Sequence, residues 1–149
     1  MKPLTTLLIA TSLLPFLAGC EKARLDQQVK ELCAKDGGVK VYETVKLSPE
    51  KFGQGGRLTF YKPTLGENTL GPEYVFKEED HYYRRGNPEM WRIHTQVIRR
   101  SDMKLLAESV IYIRRGGDMP GPWHDSSFSC PEPKDISLIE KTFVKSNKE

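Results

Sequence analysis

The sequence predicts an α+β fold: an antiparallel sheet of four or five strands with an N-terminal helix packed on one face. Two stretches carry that expectation. In residues 23–35 the apolar side chains Leu25, Val29, Leu32 and Cys33 recur at i, i+4, i+7 and i+8, which draws one apolar stripe along a helix. In residues 91–113 apolar and polar residues alternate on either side of Ser101-Asp102-Met103, which makes the segment one long hairpin. A helix can bury its stripe only against another layer, and the hairpin offers one.

Taken in order, the helix stops at Gly37-Gly38. Residues 39–46 set Val39, Val41, Glu43 and Val45 against Lys40, Tyr42, Thr44 and Lys46, the period of a strand, and Ser48-Pro49 ends it. Gly53-Gln54-Gly55-Gly56 is glycine-dense, but a phosphate cradle has a strand before it and a helix after it. Here Leu58-Thr59-Phe60-Tyr61 follows, a further strand by composition, so the glycines read as a flexible hairpin connection. Residues 63–72 are loop, Tyr74-Val75-Phe76 is a short edge strand, and Lys77-Glu78-Glu79-Asp80 is a solvated charged face.

In the hairpin, with Arg100 and Lys104 flanking the turn, Val97 falls opposite Ala107, Thr95 opposite Ser109, Ile93 opposite Ile111 and Trp91 opposite Ile113. This register gathers the apolar set on one side. The other side pairs Arg92, His94 and Gln96 with Tyr112, Val110 and Glu108, a mixed surface expected to meet solvent or a loop. Gly116-Gly117-Asp118 ends the second strand, and Pro120-Gly121-Pro122-Trp123-His124 is a stiff loop bearing an aromatic ring. Asp135 suits the N-cap of a helix over 136–144 in which Ile136, Ile139 and Phe143 share a face, and 145–149 is a disordered tail.

Residues 1–19 read differently. Lys2 gives a positive start, and Leu4 to Leu17 form an apolar run of 14 residues containing Pro15, short of the ~20 that cross a bilayer. Leu17-Ala18-Gly19-Cys20 then closes a secretory signal pattern. That ending resembles the lipobox of bacterial lipoproteins, a likeness confined to the first 20 residues. It implies that the Cys20 thiol takes a diacylglycerol, that the signal is cut just before it, and that the new amino terminus is acylated, commonly with palmitate. Small Ala18 and Gly19 let a protease reach the backbone.

On this reading 1–19 is the signal peptide and 20–149 one lipid-anchored domain. Each buried methylene contributes ~0.8 kcal/mol, so two or three chains on one residue hold a protein on a membrane essentially permanently. Two residues, Glu21 and Lys22, separate Cys20 from the predicted helix and span at most ~7 Å. The domain is therefore expected to sit close against the bilayer. The implied location is the cell envelope, facing the periplasm, and Glu21 in place of an aspartate after the cysteine favours the outer membrane over the inner.

Once Cys20 is assigned to lipid, Cys33 and Cys130 remain in a compartment where thiols oxidise, and they are expected to form a disulfide. Closing a loop of nearly one hundred residues contributes ~4.7 kcal/mol on the chain-entropy model. The 130 residues from Cys20 to Glu149 suit one domain with a proper core. The formal charge of +3 falls to +2 when Lys2 leaves with the signal, which gives no nucleic-acid footprint.

Chemistry is sparsely signalled, and no catalytic residue, metal site or cofactor is assigned. No serine lies in a Gly-x-Ser-x-Gly setting. His81, His94 and His124 with Asp80 or Asp125 match no compact metal-ligand spacing, and Glu108 approaching His94 across the hairpin reads as a surface pair. Arginine forks suit phosphate and carboxylate, so Arg84, Arg85, Arg92, Arg114 and Arg115 form a candidate patch for anionic lipid or an acidic envelope protein, with solubilising charge at strand ends as the plainer role. Trp123 and His124 are a candidate recognition loop, with a lid over the core as the plainer role. The function expected is a binding or scaffolding module of the bacterial cell envelope, with a small envelope enzyme acting on peptidoglycan or lipid as the alternative.

Overall fold

The computed structural model describes residues 21–118, 121, 124–132 and 137–146. Helix α1 spans residues 21–36. The strands are β1 (Gly38–Val41), β2 (Val45–Leu47), β3 (Tyr74–Arg84), β4 (Glu89–Arg99), β5 (Lys104–Arg115), β6 (Ser127–Cys130) and β7 (Phe143–Lys145), with a short helix α2 (Leu138–Thr142) before the last. The α+β class holds, with a five-stranded antiparallel sheet. β5 runs through its middle, with β4 and then β3 on one side and β1 and β6 end to end on the other. β2 and β7 form a separate parallel pair.

The hairpin register is the expected one: Val97 with Ala107, Thr95 with Ser109, Ile93 with Ile111 and Trp91 with Ile113. A bulge between Val97 and Ile98 leaves Leu106 without a partner on β4. Its carbonyl accepts from the backbone N–H groups of both Tyr42 and Glu43, at 2.8 and 3.0 Å. That double contact bends the chain out of the sheet, so the single strand expected over 39–46 is two, β1 and β2, in different sheets.

Other expectations are corrected by burial. Residues 58–61 are not a strand: Leu58 makes one bridge to Phe52, and the chain then turns so that Leu58 and Phe60 pack into the core. β3 runs 11 residues rather than three, because an edge strand tolerates charges on both faces and β4 supplies a partner along its whole length. Of the helix expected over 136–144, residues 138–142 are helical, while Phe143, only 2% exposed, starts β7. Lys145 is thus part of a strand rather than a tail. Asp135 and Ile136 lie outside the described residues. β6 gave no periodicity signal.

The largest correction concerns the faces of the sheet. α1 packs on the side carrying Val110 and Tyr112, the side expected to meet solvent or a loop. There Leu25 and Val29 meet Met90, Val110 and Tyr112, with Leu32, Cys33, Phe128 and Cys130 around them. A fully buried side chain of this size contributes about 1.5–3 kcal/mol, so this cluster is what holds the helix down. The reason it was hidden is that the apolar residues of this face cluster at one end, beyond His94. On the opposite face Val97, Leu106 and Ala107 join Leu58, Leu70, Tyr74, Leu138 and Phe143 in a second core.

The helix is also fixed covalently. Cys33 on α1 is bonded to Cys130 on β6, with Cα atoms 5.8 Å apart, so the expected disulfide is present and ties the two layers. Gly37 ends the helix for a spatial reason: a Cβ there would lie 2.6 Å from Cys33 Sγ.

Candidate functional site

Three arrangements have the geometry to act. The first is the end of the molecule where α1 begins. Glu21 pairs with Arg84 at the end of β3. Lys22 Nζ lies 2.5 Å from Asp118 Oδ1, and Ser126 gives the same carboxylate its N–H and hydroxyl. The Lys22 ammonium, followed by those Ser126 donors, holds the Asp118 carboxyl down to about 2. One turn on, Asp26 accepts a two-pronged fork from buried Arg114, Nε at 2.7 Å and Nη2 at 3.1 Å. The remaining Arg114 nitrogen donates to Gly116 O, Ser126 O and Ser126 Oγ. Gly116 makes this crowding feasible, since a Cβ at its φ of +82° would stand 2.2 Å from Asn87 Oδ1.

The predicted arginine patch divides on this scaffold. Arg84 and Arg114 are committed to Glu21 and Asp26, and the burial of Arg114 removes it from any surface. Arg92 faces Asp36 at 3.8 Å on the helix side of the sheet. Arg85 and Arg115 are exposed at the α1 end, Arg85 lying 4.1 Å over the Tyr82 ring, which stacks on Trp91. His124 is exposed. Cys20 and Trp123 lie outside the described residues. The partners Glu21, Lys22, Asp26 and Asp118 were missed, because a pairing between a helix and a strand end has no sequence spacing to betray it.

The second arrangement lies on the helix side of the sheet beyond α1. Tyr42 Oη donates to Glu108 Oε1 at 2.6 Å, and His94 Nε2 lies 2.8 Å from Glu108 Oε2. The Tyr42 hydroxyl, then His94, lower the Glu108 carboxyl below its usual range, and the same bond raises Tyr42. Glu79 sits opposite His94 in the register. Among the described residues no group of three or more His, Cys, Asp or Glu stands close enough to hold a metal ion.

The third is a cleft of about 780 Å³ on the opposite face of the sheet. Ile93, Thr95, Ser109 and Ile111 form its floor, the start of α2 and Phe143 one wall, and Phe52, Leu58 and Tyr61 another, with Phe76 at the β3 side. Arg57, Glu78 and Glu140 stand at its mouth, all exposed. Its volume lies within the range of small-molecule sites, about 300–1,000 Å³. The sequence register already opposed Thr95 to Ser109; what it hid is that loop 52–61 and α2 rise around them.

Comparison with protein-family models, with curated proteins and with solved structures returned no match.

Proposed function

We propose that this chain is a lipid-anchored module of the bacterial cell envelope, facing the periplasm from the outer membrane and binding or scaffolding another envelope component. The observation that supports it is the fastening of the first helical turn. The two residues that follow Cys20 are both ion-paired to the body of the domain, Glu21 to Arg84 at the end of β3 and Lys22 to Asp118 just past β5. Acyl chains on Cys20 would therefore be joined to a rigid body at one end and not to a loose leash. That end would lie at the headgroups, where exposed Arg85 and Arg115 suit anionic lipid, and the cleft would remain open to a partner.

The test is the mass of the protein isolated from its native membrane. The expected product starts at Cys20 and carries diacylglycerol and an amide-linked acyl chain; an uncut leader or a free thiol at Cys20 overturns the reading. An envelope enzyme is the second reading, supported by the Tyr42, Glu108 and His94 relay, in which a carboxylate orients an imidazole as in general-base sites. A His94→Ala strain whose envelope phenotype matches wild type would remove it.

A further inference from the structure

The floor of the cleft contains two hydroxyls that the fold does not use. Thr95 and Ser109 are direct cross-strand partners, 7% and 2% exposed, and both line the cleft. Among the described residues neither hydroxyl makes a hydrogen bond. No fully buried side-chain polar atom of the described residues lacks a partner, so these two oxygens must open into the cleft. Hydroxyls that open into an apolar-walled cleft are left to water, and a ligand acceptor can take that place. A site that keeps two of them adjacent, between Ile93 and Ile111 on one side and the Val97 and Ala107 core on the other, is built for a ligand with a hydrogen-bonding group flanked by hydrocarbon.

We infer that the cleft binds a single-chain zwitterionic phospholipid, its ester meeting Thr95 and Ser109 and its acyl chain lying along Ile93, Ile111, Phe76 and Ile139. The mouth supplies the headgroup chemistry. Arg57 is a fork for phosphate, while Glu78 and Glu140 are carboxylates for an ammonium, and no ion pair among the described residues takes any of the three. A wholly anionic lipid would meet two carboxylates for one guanidinium. This goes beyond the anchoring reading and does not depend on it, because the site lies in the folded domain and not at Cys20.

The test is calorimetric titration of the processed chain, residues 20–149 with Cys20→Ser and so without leader or acyl chains, with lauroyl lysophosphatidylethanolamine below its critical micelle concentration. Saturable binding at one site is expected, with lauroyl lysophosphatidylglycerol weaker. Thr95→Val keeps the side-chain shape and removes one hydroxyl; affinity is expected to fall about tenfold, the loss of one hydrogen bond, while the melting temperature holds or rises because no internal bond is lost. Arg57→Glu, an exposed change, is expected to weaken binding by a similar factor. Equal affinity of Thr95→Val and wild type, or no binding of either lipid, overturns the inference. Since the protein tested lacks the acylated cysteine, failure here leaves the anchoring reading standing, and the reverse.

Discussion

The two faces of the same sheet are finished in opposite ways. On one, α1 is held by a disulfide, by buried apolar contacts and by ion pairs along its first two turns. On the other, α2 and the 52–61 segment cover one end of the strands and leave a cleft over Ile93 and Ile111. Neighbouring residues of one strand serve both: Val110 is sealed under the helix while Ser109 and Ile111 line the cleft. A closed face supplies the rigidity that an open, apolar face needs if it is to keep its shape in water. The difference teaches that in this molecule stability and accessibility are separated by residue parity along β5.

That contrast can be broken first at its covalent tie. Replacing Cys33 and Cys130 together by alanine should cost about 4–5 kcal/mol in denaturant unfolding, since the bridge spans 97 residues. A loss under 1 kcal/mol would show that apolar packing alone closes the helix face. Next comes Arg114→Met, which strands Asp26 and the Gly116 carbonyl; a cost of about 3 kcal/mol is expected. Adding Asp26→Leu should recover much of it, and a double variant no more stable than the single would deny that the pair acts as a unit.

On the open face the effects should be smaller. Ile111→Ala removes a side chain only partly buried at the cleft floor, so about 1–2 kcal/mol is expected, against about 3 kcal/mol for Met90→Ala beneath the helix, where the residue is wholly buried. Equal costs would mean that the cleft is filled in solution. The smallest effect concerns acid. Asp118 titrates at about 2 when folded, below the 3.8 of a free aspartate. Its stabilisation is full above about pH 4 and is lost as pH falls through about 2. Asp118→Asn should therefore lower the melting temperature at neutral pH and leave it nearly unchanged at pH 2; an equal shift at both would assign the effect to hydrogen bonding alone.

How much of this could be read beforehand depends on the range of the interaction. The hairpin register was legible because strand pairing through a short turn is set by alternation on adjacent segments, and Thr95 opposite Ser109 followed from it. The helix was legible because its stripe lies within 13 residues. Its landing place was not: Met90, Val110 and Tyr112 are scattered among Arg92 and His94, so the face looked polar on average although its end is apolar. Likewise Arg114 looked like a surface cation, since a sequence shows a charge but not the aspartate that meets it across 88 positions.

By itself, the sequence determined the class of fold, the helix, the central hairpin with its register, and the pairing of Cys33 with Cys130. These rest on local periodicity or, for the disulfide, on setting Cys20 aside as the expected lipid site. Tertiary structure alone decided which face the helix seals, which arginines are consumed inside, and that two facing hydroxyls lie at the bottom of a cleft. Those outcomes depend on where distant segments come to rest, and packing, which chooses among all the surfaces available, leaves no periodic trace in the chain.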